Sequence, residues 1–313
     1  MLTSLSQNIQ RIFLGKPEIV RLCLTTLLAG EHLLLEDVPG VGKTLLAQAV
    51  AKSIRGAFRR IQFTPDLLPA DITGSSVFRT FAQGENGESV EPFTFLPGPI
   101  FANIVLADEI NRTTPRTQSA MLEAMGEKQV TCDGETRPLP QPFMVIATQN
   151  PMEFEGTYPL PESQLDRFLM RISIGYPDRQ SELLILAQHQ GGEPVETLPS
   201  IIDLPSLISL RTEAQNVLID ESLLTYILNI AAATRESDAC LVGVSPRGAI
   251  ALCRAAKAYA LTFGRNYVIP DDIKTLAVPV LSHRIITKTH FRANRRADSE
   301  RLVQEILAEV AVP

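Results

Sequence analysis

The residues best suited to chemistry begin with the run Asp37-Val38-Pro39-Gly40-Val41-Gly42-Lys43-Thr44. It puts glycines where backbone N–H groups must close around phosphate oxygens. Lys43 stands where an ammonium reaches the β- and γ-phosphates, and Thr44 where a hydroxyl ligates Mg²⁺. This is a Walker A pattern with one departure: G-x-x-x-x-G-K-[ST] calls for glycine at position 37, and the chain has Asp37. Aspartate tolerates left-handed backbone better than most residues, so the turn is expected to survive. A carboxylate beside a triphosphate is expected to weaken binding.

Downstream, Ile104-Val-Leu-Ala-Asp-Glu109 is an apolar run ending in two carboxylates, a Walker B pattern. Asp108 is placed to hold Mg²⁺ through water and Glu109 to polarise an attacking water. Asn150, in Ala147-Thr-Gln-Asn-Pro151, follows another apolar run and is read as the amide that orients that water, the sensor 1 role; a turn-forming Asn-Pro is the alternative. Arg167, in Leu160-Pro-Glu-Ser-Gln-Leu-Asp-Arg-Phe168, sits before a further strand. It is either a buried ion-pair partner or a finger reaching the next subunit's nucleotide. Arg247, in Ser245-Pro-Arg247, falls in the first turn of a helix, where the helix dipole disfavours a cation unless a phosphate lies close. It is a candidate sensor 2, with a plain surface arginine as the alternative.

These residues need a scaffold, and the apolar patterning supplies one. Short apolar runs at 32–36, 58–63, 104–107, 143–147 and 169–174 alternate with helical stretches such as 44–54 and 115–125. That alternation predicts a mainly parallel sheet covered on both faces, an αβα sandwich. Helices around Leu5–Phe13 and Pro17–Gly30 precede it. Two segments break the alternation and read as projecting inserts: Val77–Pro97, with a turn at Gln83–Gly87, and Gln129–Leu139, with a hairpin turn at Asp133-Gly134. Glycines 191 and 192 and prolines 194, 199 and 205 mark a boundary, so residues 1–190 are taken as the core and 191–313 as an all-α lid. In the lid, Ser245-Pro246 caps a helix that Gly264 ends.

The chain has 313 residues, 45% hydrophobic and 20% charged, enough for two globular domains. A net charge of −6 argues against sequence-independent binding to nucleic acid or anionic membrane. The stretch holding His283, Arg284, Lys288, Arg292, Arg295 and Arg296 is the candidate basic patch, with a solvated helix face as the alternative. Cys23, Cys132, Cys240 and Cys253 form no C-x-x-C pair, and His32, His189, His283 and His290 are too scattered for a metal cluster. No stretch reaches the roughly eighteen apolar residues of a membrane span, and the N-terminus carries no signal pattern, so the cytoplasm is the expected location.

The segments EDVPGVGKT, FTPDLLPADITG, GPIFANIVLADEINR, TQSAMLEAMGEKQV, ATQNP, YPLPESQLDRF, SPRGAIAL and YVIPDDIKTLA, in this order over about residues 10–290, resemble the MoxR family of AAA+ ATPases. The resemblance implies a P-loop NTPase core with a helix-2 insert and a pre-sensor-1 hairpin, followed by the lid. It implies ATP as substrate and Mg²⁺ as cofactor, with phosphate contacts from Pro39, Gly40, Val41, Gly42, Lys43, Thr44 and Leu45. Adenine contacts would come from backbone near Leu14 and Gly15, and metal ligation from Thr44 and Asp108. Catalytic roles fall on Glu109, Asn150, Arg167 and Arg247. It further implies a homo-hexameric ring, a partner carrying a von Willebrand factor A domain, and chaperone-like remodelling of client protein complexes.

Other readings stay open on the sequence: a slowly hydrolysing nucleotide switch, for which Asp37 is the support, a magnesium-chelatase-type motor, and a DNA motor. Against the last, the hairpin from Glu127 to Arg137 carries Lys128 and Arg137 but also Glu127, Asp133 and Glu135, a net acidic surface.

Overall fold

The computed structural model describes residues 1–78, 93–150, 156–188, 194–288 and 295–313. The Gln83–Gly87 turn, Pro151, His189, Gly191, Gly192, His290 and Arg292 lie outside them. Helices α1 (Leu2–Gln10) and α2 (Pro17–Ala29) lead into β1 (Leu33–Glu36), and the glycine loop connects β1 to α3 (Lys43–Ser53). Then follow β2 (Phe58–Gln62), α4 (Pro69–Thr73), the ribbon β3 (Gly74–Phe78) and β4 (Phe93–Pro97), β5 (Ile104–Asp108) and α5 (Pro115–Glu127). The hairpin β6 (Gln129–Cys132) and β7 (Glu135–Pro138) precedes β8 (Met144–Gln149), α6 (Glu162–Leu165), β9 (Met170–Ile172) and α7 (Arg179–Gln188).

Five strands form one parallel sheet in the order β2-β5-β8-β1-β9. The three inner strands β5, β8 and β1 read as apolar runs because both faces are covered, whereas the edge strand β2 (Phe-Arg-Arg-Ile-Gln) is not the apolar run expected and exposes Arg59, Arg60 and Gln62. Leu33, Leu35, Ile104, Leu106, Met144 and Ile146 point to one face, against Leu46, Ala47 and Val50 of α3. Leu34, Val105, Ala107, Val145 and Ala147 point to the other, against Met121, Leu122 and Met125 of α5. Register then decides what meets at the sheet's carboxyl edge. Glu36 pairs with Gln149 and Gln62 with Asp108, so four polar strand ends emerge together beside the loop after β1.

Both inserts form. In the β6/β7 hairpin Asp133 (φ 54°) and Gly134 (φ 80°) are both left-handed, as a two-residue hairpin turn requires. The β3/β4 ribbon opens at Gly74, earlier than the apolar pattern marks, and Ser76 N–H donates to Asp133 Oδ2 at 3.2 Å, joining the two projections.

The lid contains α8 (Leu204–Gln215), α9 (Glu221–Glu236), β10 (Cys240–Val242), α10 (Pro246–Thr262), α11 (Pro270–Leu281), β11 (Ile286–Thr287) and α12 (Arg295–Glu309). It is helical, with β10 and β11 as one short antiparallel ribbon. Ser245 Oγ accepts the Gly248 N–H at 3.2 Å, the cap expected from Ser-Pro. Helix α10 packs on α2 as well as α11, and the α3-side core runs unbroken into Leu252, Ala255, Leu276 and Val303. Of the basic C-terminal stretch, Lys288 is exposed, while His283 is buried and Arg284 and Arg296 are partly so. The Arg284 side chain is 4% exposed and paired with Asp166, and Arg296 reaches Glu36 Oε2 at 3.0 Å, so the two arginines hold lid to core. No helix among the described residues is long and apolar enough to cross a membrane.

Candidate nucleotide site

The loop between β1 and α3 floors a cavity of about 550 Å³, within the roughly 300–1,000 Å³ typical of small-molecule sites. Pro39 through Leu45 line it, with Leu14, Arg60, Asp108 and Glu109. Gly40 (φ 85°) and Gly42 (φ 92°) take left-handed backbone that a side chain would resist, and no atom lies within 4 Å of where a Gly40 Cβ would stand. Lys43 Nζ donates to Asp37 O at 2.9 Å, which keeps the ammonium at the loop. Ile12, Phe13, Ile174, Pro177 and Ile185 give the cavity an apolar end suited to a flat ring. The cradle, ammonium, hydroxyl and apolar end together fit a nucleoside triphosphate. Gly15 is not part of the lining. A Cβ there would come within 2.3 Å of Ser181 Oγ, so this glycine lets the N-terminal segment pass under the start of α7.

Asp108 and Glu109 share one buried hydroxyl. Thr148 Oγ donates to Asp108 Oδ1 at 2.6 Å and accepts the Glu109 N–H at 2.9 Å. Glu109 itself is left-handed (φ 59°), a conformation costing a non-glycine residue roughly 1–2 kcal/mol, and the bond to Thr148 helps hold it there. Its Oε2 accepts from Gln62 Nε2 at 2.7 Å and from Arg112 Nη1 at 3.0 Å. The other Asp108 oxygen meets Arg60, with Nη2 at 2.6 Å and Nε at 3.2 Å. Arg60 already stands on the carboxylate expected to hold Mg²⁺ and would compete with it; one carboxylate and one hydroxyl as protein donors suit a metal whose remaining ligands are phosphate oxygens and water. Thr44 and Asp108 are the residues that would hold it. Gln62, Thr148 and Arg60 were not legible as site residues. Their only signal is a polar side chain at or near the carboxyl end of a strand.

Asp37 does not behave as its type suggests. It is not among the positive-φ non-glycine residues, which among the described residues are Arg55, Glu109, Lys128 and Asp133. Its carboxylate turns to the segment after β9, where Oδ2 accepts from Ser173 Oγ (2.9 Å), Ile174 N (2.5 Å) and Gly175 N (2.8 Å), while Oδ1 accepts from Val38 N (3.0 Å). Burial pushes its pKa up, but hydrogen bonds led by Gly175, Ser173 and Ile174 outweigh it and hold the carboxyl below the usual carboxylate range. The charge is spent on fastening the loop rather than facing phosphate.

Asn150 is buried just beyond the end of β8 and is not among the residues that line the cavity. Arg167 and Arg247 are elsewhere. They line a second pocket of about 270 Å³, with Arg254, Arg284, Asp166 and Glu31. Arg167 Nη1 donates to Leu122 O at 2.8 Å and packs on Gly126. Arg247 Nε lies 3.2 Å from Asp166 Oδ2, so in this chain a carboxylate, not a phosphate, offsets the unfavourable helix start. Among the described residues, no lid residue lines the loop cavity.

A parallel sheet with a glycine loop after its β1 strand, paired carboxylates on a neighbouring strand and a helical lid defines a P-loop ATPase of the AAA class. Residues 32–170 match the ATPase family associated with various cellular activities (AAA), and residues 232–306 match the AAA lid domain. Chaperone MoxR1 of Mycobacterium tuberculosis is 40% identical over 98% of this chain and 81% of its own length. The uncharacterized protein YeaC of Bacillus subtilis is 52% identical over 98% and 93%, and protein MoxR of Paracoccus denitrificans 29% identical over 96% and 93%. The crystal structure of a protein assigned as an ATPase from Cytophaga hutchinsonii superposes with a TM-score of 0.88 at 38% identity, covering 99% of this chain and 94% of that one. The chain belongs to the MoxR family of AAA ATPases.

Proposed function

We propose that the chain hydrolyses ATP at a site that two copies share: the loop cavity of one and the arginine pocket of the next. The observation that carries this is the separation of the two halves. Among the described residues, Arg167 and Arg247 stand with Arg254 and Arg284 against only Asp166 and Glu31 in their pocket, whereas the sole guanidinium lining the loop cavity, Arg60, is engaged with Asp108. An excess of guanidinium in a concave pocket suits a triphosphate presented from outside the chain.

In this reading the loop N–H groups and Lys43 grip the phosphates, and Glu109 and Asn150 align water on the γ-phosphorus. As the water oxygen bonds to phosphorus, the bond to the β-phosphate oxygen breaks; ADP and inorganic phosphate leave, and the water's proton passes by way of Glu109. Mg²⁺, when bound, would neutralise charge on the phosphate oxygens. Glu109 must first leave Gln62 and Arg112, a rearrangement that incoming nucleotide is expected to trigger. The assembly is a ring, most simply a hexamer, working in the cytoplasm on protein complexes together with a von Willebrand factor A domain partner. Family membership and the chaperone-named relative support that role. Because Asp37 is turned away from the phosphate cradle, the slow-switch reading loses its support.

The test is ATP turnover by the wild type, Lys43→Ala, Glu109→Gln and Arg167→Ala. Glu109→Gln and Arg167→Ala are each expected to lose about 10²-fold or more in kcat, and Lys43→Ala to lose ATP binding. Mixing Arg167→Ala with Glu109→Gln should restore part of the activity, because each supplies the half the other lacks. Four equal rates would sink the proposal.

A further inference from the structure

Among the described residues, two exposed apolar surfaces each border one half of the shared site. Helix α7 exposes Leu183, Leu184 and Leu186 at 61%, 57% and 64%, while Ile185, between them, lines the loop cavity. On the other side, α8, α9 and α10 and the end of α2 enclose a groove of about 920 Å³. It is floored by Ile227, Ala249 and Cys253 and rimmed by Leu224, Leu228 and Ile250, exposed by 39%, 59% and 54%. Glu31, Ile250 and Arg254 line both this groove and the arginine pocket, so the two are continuous. Solvent-facing apolar clusters of this kind mark interaction surfaces rather than ordinary surface leucines.

We infer that α7 of one copy seats in the α8/α9/α10 groove of the next. The inference rests on the shared-site reading and adds its apolar half. If the arginine pocket of one copy faces the loop cavity of another, the groove adjoining the pocket is placed to receive the helix adjoining the cavity. Charge agrees. The groove is lined by Lys128, Arg211, Arg235, Arg254 and Lys257 against Glu31 alone, in a chain whose net charge is −6. Helix α7 opens with Asp178 and Glu182 against Arg179. The contact is heterologous: the groove does not meet a groove, nor the helix a helix, so repetition by rotation generates a ring rather than a two-fold dimer.

Cys253 provides a native probe in the groove floor. Leu184→Cys, incubated with magnesium and ATP and treated with a short bis-maleimide, is expected to give a ladder of covalently joined chains that wild type lacks and that Cys253→Ser abolishes. Separately, Leu183→Glu with Leu186→Glu should raise the concentration needed for assembly about tenfold or more in sedimentation, while ATP affinity measured by calorimetry stays within about twofold. If Leu184→Cys assembles and hydrolyses ATP as wild type does but yields the same cross-linked products without Cys253, the groove is occupied by something else, such as another protein; this inference falls while the shared site stands. A chain that remains monomeric with every nucleotide, yet turns ATP over, overturns both.

Discussion

Arg60 Nη2 stands 2.6 Å from Asp108 Oδ2, so a guanidinium from β2 holds the carboxylate whose counterpart in the proposed reaction is a metal ion. The two cations compete for one oxygen. Arg60 is about half exposed, which limits the pair to roughly 1 kcal/mol or less. Arg60→Gln is therefore expected to lower the Mg²⁺ concentration for half-maximal ATP turnover by about two- to fivefold, measured by magnesium titration at saturating ATP. A rise in that concentration would show instead that Arg60 works alongside the metal on the phosphates.

Asp37 illustrates what a residue's type does and does not reveal. Replacing it with glycine restores the ordinary loop pattern but leaves the buried Ile174 amide and its neighbour Gly175 without their acceptor. Each unmet buried donor costs about 1–3 kcal/mol. Asp37→Gly should lower thermal stability by several degrees and should not tighten ATP binding. Tenfold tighter binding by calorimetry would mean that the carboxylate does act on the phosphates.

The parts legible in the sequence are those that local patterning fixes. Leu33–Leu35 and Ile104–Ala107 announce buried parallel strands because nothing polar interrupts them, and Gly40 and Gly42 announce the loop because few other residues accept its backbone. The parts that stayed hidden depend on which strand ends lie side by side. Thr148 reads as one more strand residue until β5 and β8 pair and bring its hydroxyl between Asp108 and Glu109. Arg247 looked unpaired for the same reason. Its carboxylate, Asp166, is eighty-one positions earlier in the chain, and only the docking of the lid on the core brings them to 3.2 Å.

His32 makes that docking of distant parts measurable through pH. Its Nδ1 accepts the Val145 N–H at 3.0 Å, so the proton sits on Nε2, which donates to Met125 O at 3.1 Å; the neutral ring joins β8 to α5. Burial, aided by Lys128, Arg211 and Arg167 nearby, pushes its pKa down to about 4, and burial beside Arg284 and Arg171 holds His283 well below its ordinary value. In the unfolded chain both histidines take up a proton near pH 6.5, while in the folded chain both remain neutral. The unfolded state thus binds more protons below pH 6.5, and stability falls as pH drops from there toward about 4. Each histidine contributes a slope on the order of 1 kcal/mol per pH unit in that window. Denaturant unfolding at pH 7.5, 6.5 and 5.5 should show little change across the first step and a clear loss across the second. His32→Gln, though less stable at pH 7.5, should lose less across the second step than the wild type does. An equal loss in the two proteins would place the pH sensitivity in other groups.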